Sequence, residues 1–225
     1  MSNYTMKRRQ KGFTLVEIAI VLVIIGLLLG GVLKGQELIN SAKVKNFAND
    51  FRNTPLYIYG YQDKFRALPG DDKAANTHVT GGTVSTAGGT PGNGMIEGRW
   101  DSTTVTHESA LFWQHVRLAG LAAGSTDTSV PGSYFPTNAD GGTIGVESAS
   151  TTPPIVGLTG PYIVCSGGIL GKFAKQLDTT MDDGNTATGS MRATISTATR
   201  SATEPAAVAT ASINDGTSYV ICMSF

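Results

Sequence analysis

The chain has 225 residues with 17 basic and 17 acidic side chains, a formal charge of zero at pH 7. The balance is uneven: Lys7, Arg8, Arg9 and Lys11 precede the first acid, and the rest of the chain is left four more acidic than basic, which excludes a broad basic nucleic-acid footprint. Twenty-eight glycines and abundant Thr and Ser disfavour a helical bundle and favour short strands joined by long loops.

The first element in chain order is KRRQKGFTLVEIAIVLVIIGLLLGG, residues 7–31. No side chain from Ile18 to Leu33 is polar, and extending back to Phe13 gives a run of 21 residues. At about 1.5 Å per residue such a helix spans the hydrocarbon core of a bilayer. The basic cluster ahead of it keeps residues 1–12 cytoplasmic and sends the remainder outward. An ordinary signal peptide carries its small-residue cleavage site after the apolar stretch. Here the small residue, Gly12, comes before it, and no A-x-A pattern follows Leu33. Cleavage after Gly12 removes the leader, keeps the membrane helix, and places a new ammonium on Phe13.

Glu17 is the fault in this helix, since a carboxylate at the centre of a membrane span costs roughly 2.5–3.5 kcal/mol on insertion scales. It stands four residues after Phe13, and residues four apart share a helix face. A terminal ammonium and a carboxylate compensate each other in a low-dielectric setting, within one chain or between neighbours. Between neighbours the pairing fixes the axial offset of adjacent helices. The bland reading is a single-pass anchor with an incidental glutamate.

Gly12-Phe13-Thr14-Leu15-Val16-Glu17 after a short basic leader, followed by an unbroken apolar helix, resembles the processing signature of type IV pilins and type II secretion pseudopilins. The resemblance implies that a prepilin peptidase cuts after Gly12 and methylates Phe13, and that Glu17 is needed for filament assembly. It implies an α+β, pilin-like fold, with a long N-terminal helix packed on a small antiparallel sheet bearing long loops. Many members carry a proline near the position of Lys34; this chain instead has Gly26, Gly30, Gly31 and Gly35, in two small-xxx-small spacings that permit close helix approach.

The expected organisation is a cleaved leader (1–12), a membrane and filament-core helix (13–34), an amphipathic stem kinked near Pro55 (35–66), and an extracytoplasmic head (67–225). In the stem, Val44, Phe47, Ala48 and Phe51 follow the helical i, i+3, i+4, i+7 pattern. Pro55 should end or kink that helix near Asn53, with a second helical piece from Leu56 to Arg66. The tyrosines at 57, 59 and 61 also read as a short strand; the resemblance favours helix. Leu68-Pro-Gly-Asp-Asp72 marks a turn.

In the head, Thr77 to Asn93 and Ser125 to Pro154 read as Gly/Thr-rich loops, either glycan-bearing or, more plainly, just solvated. Helices are expected from His107 to about Ala119, with Thr106 as cap, and from Leu170 to Met181. Strand character falls at Pro161–Ser166, Met191–Thr197 and Ser218–Phe225. Tyr162-Ile-Val-Cys165 is echoed by Tyr219-Val-Ile-Cys222, and adjacent strands would bring the two cysteines within bridging reach. A disulfide is the natural pairing in an exported domain, and buried free thiols are the alternative in the cytosol. The resemblance, in which a disulfide commonly pins the C-terminal part of the head, agrees with the bridge.

Signals of catalysis are thin. His107 and His115 lie eight residues apart, about 12 Å along a helix and too far to ligate one metal together. There is no Gly-x-Ser-x-Gly elbow, no CxxC and no phosphate-binding GxxxxGK[ST] loop. An enzyme is therefore not expected, and no cofactor beyond the ion considered next. Asp178, Asp182, Asp183 and Asn185 cluster hard oxygen donors at a helix end and glycine turn, which suits Ca²⁺. They match neither EF-hand spacing nor the C-terminal calcium loop of some pseudopilins, and a solvated turn is the plainer reading.

Three functions follow from these features. The first is a subunit of a type IV pilus-like filament, held in the inner membrane with its head periplasmic and then moved into a cell-surface or periplasmic fibre. The second is a type II secretion pseudopilin. The third is a minor tip or adhesin pilin. Each implies self-association, and as partners the prepilin peptidase, an assembly ATPase, an inner-membrane platform, other minor pilins and the membrane.

Overall fold

The computed structural model describes residues 12, 14–130, 134–149, 152–196 and 205–225; the leader before Gly12, and Phe13, lie outside the described residues. The elements in order are α1 (Leu15–Phe65), α2 (Ala75–His78), α3 (Glu108–Leu118), β1 (Ile144–Glu147), β2 (Ile163–Leu170), α4 (Gly171–Met181), β3 (Met191–Ile195) and β4 (Ser218–Ser224). A single 3₁₀ turn, Thr210–Ser212, precedes β4. The chain divides into two compact units, Met1–Ala42 and Lys43–Phe225.

Within the first unit, α1 is apolar on every side. Its large hydrophobic side chains between Leu15 and Leu33 are 47% to 86% exposed. A helix apolar all round is stable only when lipid or other helices surround it. Among the described residues this is the one helix long and apolar enough to cross a membrane.

In the second unit α1 becomes amphipathic. Val44, Phe47, Ala48, Phe51, Thr54, Pro55, Ile58 and Tyr61 are buried along one face. Of the two expectations for Pro55, an end is ruled out: the piece expected to be helical from Leu56 to Arg66 continues α1 to Phe65, and the 57–61 tyrosines are helical. The buried stripe continues across the proline through Ile58 and Tyr61, so packing offsets the backbone bond that Pro55 cannot make. The Thr54 hydroxyl also donates to the Asp50 carbonyl at 2.8 Å, one turn back. Arg66, in the left-handed region at φ 57°, turns the chain out of the helix.

The sheet is antiparallel throughout, in the order β1-β2-β4-β3. Its alternation sorts side chains onto two faces. Val164, Ile169, Tyr219 and Ile221 join the main core with Phe47, Phe51, Phe112, Phe173 and Leu177. Ile163, Cys165 and Cys222 point the other way, under Ile155 and Leu158. Cys165 and Cys222 are direct cross-strand partners on β2 and β4 and are joined as a disulfide. The register of this pair shifts between Ser166 and Ile169, where Gly168 adopts φ 70°.

Several local expectations change. Strand β1 lies inside the stretch 125–154 that reads as loop, because its four residues, Ile-Gly-Val-Glu, carry too little apolar signal. Burial in context forms it: a Cβ at Gly145 would sit 1.9 Å from the Trp100 carbonyl oxygen, so only glycine permits that approach. Helix α3 is capped by His107 rather than Thr106, without a side-chain cap bond. Leu170 ends β2 and does not open α4.

Candidate functional site

The start of α1 forms a reciprocal cap. The Thr14 hydroxyl oxygen accepts the Glu17 N–H at 3.2 Å, and Glu17 Oε2 accepts from the Thr14 N–H at 2.8 Å and from its hydroxyl at 2.7 Å. This is a capping box, in which an N-cap Thr and a Glu three residues later satisfy two orphan helix donors. Thr14 was missed as a functional residue, although its signal, T-x-x-E ahead of an apolar run, is plain in Thr14-Leu-Val-Glu17. Glu17 therefore has an intramolecular partner in the single chain. Gly12 is exposed just outside the helix. The expected ammonium partner, Phe13, lies outside the described residues.

Several polar groups of the head are engaged in internal hydrogen bonds. His115 is fully buried; its Nδ1 accepts the Gly70 N–H at 2.9 Å and its Nε2 faces the Thr83 carbonyl at 2.8 Å, which sets a neutral tautomer with the proton on Nε2. Burial lowers its pKa further. His107 meets the Ser102 hydroxyl through Nδ1 at 2.8 Å. Both aspartates of the 68–72 turn are engaged. Asp71 accepts the N–H groups of Gly92, Asn93 and Gly94, and Asp72 accepts from Tyr61, His78 and the Ala74 N–H.

Glu108, in the first turn of α3, is the most costly of these groups. It is fully buried, its Oε2 accepts the Glu97 N–H at 2.8 Å, and its Oε1 has no partner. Burial pushes its carboxyl up to about 7; Asp71 and Glu97 add to the rise and the Glu97 N–H opposes it. Burial likewise raises Asp50 to about 6. A carboxyl whose folded pKa exceeds its unfolded value binds more protons when folded, so stability falls as pH rises through that interval. The head should therefore lose stability between pH 5 and pH 8, by roughly 1–3 kcal/mol from Glu108. Thermal melts of Glu108→Gln should show a smaller pH slope and a higher Tm at pH 8 than the parent; equal slopes would refute the assignment.

At the C-terminal end of α4, Asp178, Asp182 and Asp183 come together, each with an oxygen within 4.8 Å of the others. Asp178 is 1% exposed, and among the described residues both its carboxylate oxygens lack a hydrogen-bond partner. Burial, then Asp182 and Asp183, raise its pKa to about 6; the nearby Gly184 N–H offsets part of this without reaching hydrogen-bond geometry. Asn185, expected with this group, uses its Oδ1 to accept the Ala187 N–H.

Residues 7–33 match the prokaryotic N-terminal methylation motif, the signature of type IV pilins and pseudopilins. The match covers the basic leader, Gly12, Phe13, the capping box and the apolar helix, and it points to a structural, pilin-type protein. Comparison of the chain with curated proteins and with solved structures finds no match in either.

Proposed function

We propose that the chain is a subunit of a type IV pilus-like filament. It is inserted in the inner membrane, cut after Gly12 by a prepilin peptidase, methylated on Phe13, and moved from lipid into a bundle of like helices. The observation that carries this reading is the methylation motif at residues 7–33 on a helix that is apolar all round. Such a helix exchanges lipid for neighbours with little change in burial, so extraction into a fibre core does not require it to refold.

Glu17 supplies the register. In the single chain its carboxylate is held by Thr14. In the fibre it meets the ammonium of a neighbour's Phe13, and a head-to-tail contact of this kind propagates as a helix without closing. The motor and platform are separate proteins, since the sequence has no GxxxxGK[ST] loop.

Intact-mass and N-terminal peptide measurements test the reading directly. The expected product begins at residue 13 with one added methyl group. A functional protein that retains Met1 would overturn it. A second reading, a secretion pseudopilin or a minor tip subunit, draws on the long Gly/Thr-rich tracts at 77–93 and 125–154, the second of which also contributes β1. Abundance in sheared surface fractions separates the two, because a major subunit dominates that material.

A further inference from the structure

We infer that Asp178, Asp182 and Asp183 form a calcium-binding site at the C-terminal end of α4, a role that goes beyond filament assembly and does not depend on it. Three acidic side chains alone would make only a solvated turn. The distinguishing group is Asp178: it is 1% exposed, and among the described residues neither carboxylate oxygen has a partner within hydrogen-bond geometry, the Gly184 N–H being the nearby donor. Removing an ionised carboxylate from water without a partner is among the most costly arrangements a fold can hold. Asp178 lies in the last turn of α4, Asp182 is the non-helical residue that caps it, and Asp183 completes a group whose oxygens lie within 4.8 Å of one another.

Their surroundings supply no paired counter-ion among the described residues. Among the described residues, no lysine or arginine forms an ion pair with any of the three, and Lys175 on the same helix pairs with Asp215. Arg192 lies close enough to lower the pKa of Asp183, but its Nε donates to the Gly189 carbonyl and its Nη1 to the Val156 carbonyl. The last turn of α4 contains no basic residue, and the helix C-terminus adds its own negative potential.

The two outer carboxylates are already oriented. Asp182 Oδ2 accepts the Met191 N–H at 2.7 Å, and its Oδ1 accepts from the Ser190 hydroxyl at 3.2 Å. Asp183 Oδ1 accepts the Asn185 N–H at 2.8 Å, and its Oδ2 accepts from the Thr188 hydroxyl at 2.6 Å. Each oxygen retains a lone pair for a cation. An all-oxygen, carboxylate-rich set in an irregular turn suits Ca²⁺, which accepts six to eight oxygens in flexible geometry, better than Mg²⁺, which demands a near-ideal octahedron. The ion would tie the end of α4 to the start of β3, the junction that Asp182 already bridges.

Equilibrium dialysis of the detergent-solubilised full chain against radioactive Ca²⁺ tests the site. The expected result is one ion per chain, a Tm several degrees higher in Ca²⁺ than in EDTA, and loss of both effects in Asp178→Asn. In EDTA, Asp178→Asn should melt no lower than the parent, since it removes a buried charge. Should that variant fail to fold, Asp183→Asn, at an exposed position and with an amide oxygen that still accepts the Asn185 N–H, should weaken Ca²⁺ binding by about tenfold with a Tm in EDTA within about a degree of the parent. The site is overturned if the parent binds no Ca²⁺ above background, if Mg²⁺ raises the Tm equally, or if either folded variant binds Ca²⁺ as the parent does.

Discussion

Glu17→Gln should be cleaved after Gly12 normally and yet enter filaments about tenfold less often or worse, a loss of at least about 1.4 kcal/mol per contact. The choice of glutamine separates two roles that alanine confounds. Its amide oxygen still accepts from the Thr14 N–H, so the capping box that opens α1 persists. What disappears is the charge that a neighbour's Phe13 ammonium would meet. The neutral side chain is also cheaper to place in a bilayer, so poor insertion cannot account for the loss. Thr14→Val is the complementary control. It removes the hydroxyl that caps Glu17, should cost about 1 kcal/mol of helix-end stability, and should leave assembly largely intact. Filaments in parental yield from Glu17→Gln would remove the ion-pair mechanism; the assembly defect appearing in Thr14→Val instead would assign the role to the cap. Immunoblots of sheared and membrane fractions read both outcomes.

Replacing both Cys165 and Cys222 by alanine should lower the unfolding free energy of the head by about 2–4 kcal/mol. The bridge closes a loop of sequence separation 57, for which the chain-entropy relation gives about 4 kcal/mol as an upper figure. Both positions are fully buried in the smaller core under Ile155 and Leu158, so lost packing adds to the effect. Trp100 and Trp113 both lie in the head, and their fluorescence reports urea unfolding of the full chain in detergent. A smaller decrease should follow from reducing the parent under conditions that open the head, since both sulfurs then remain in the core. A shift in stability under about 0.5 kcal/mol would show that the two strands are held by their hydrogen bonds and packing alone.

The legible parts of this molecule are those where one strong physical term dominates. An apolar run with a basic leader and a single acid carries the expectation of a membrane and filament-core helix at residues 13–34 whatever surrounds it. The stripe Val44-Phe47-Ala48-Phe51 and the echo ending in Cys165 and Cys222 carry period and pairing in the residues themselves. Features that depend on distant partners are not visible in that way. Helix α1 passes Pro55 because Ile58 and Tyr61 have somewhere to be buried, which local propensity cannot report. Strand β1 exists because β2 accepts it and Gly145 tolerates the Trp100 carbonyl. The turn at Asp71 and Asp72 looks like free carboxylates in sequence, whereas the fold brings the 92–94 backbone and His78 to them. Asp178, Asp182, Asp183 and Asn185 stand together in the sequence, but the burial of Asp178 depends on the packing around α4 and is not visible there.

Strand β4, residues 218–224, is made last of the sheet yet occupies an interior place, between β2 and β3. Synthesis proceeds from the amino end, so β2 and β3 emerge from the ribosome with no shared neighbour and cannot join until β4 arrives. A nascent polypeptide stalled at residue 217 would leave both flanking strands with open edges, which invite pairing with other chains. The four-stranded sheet is thus completed only when residues 218–224 are in place, and a chain truncated at residue 217 should aggregate rather than behave as a slightly shortened product.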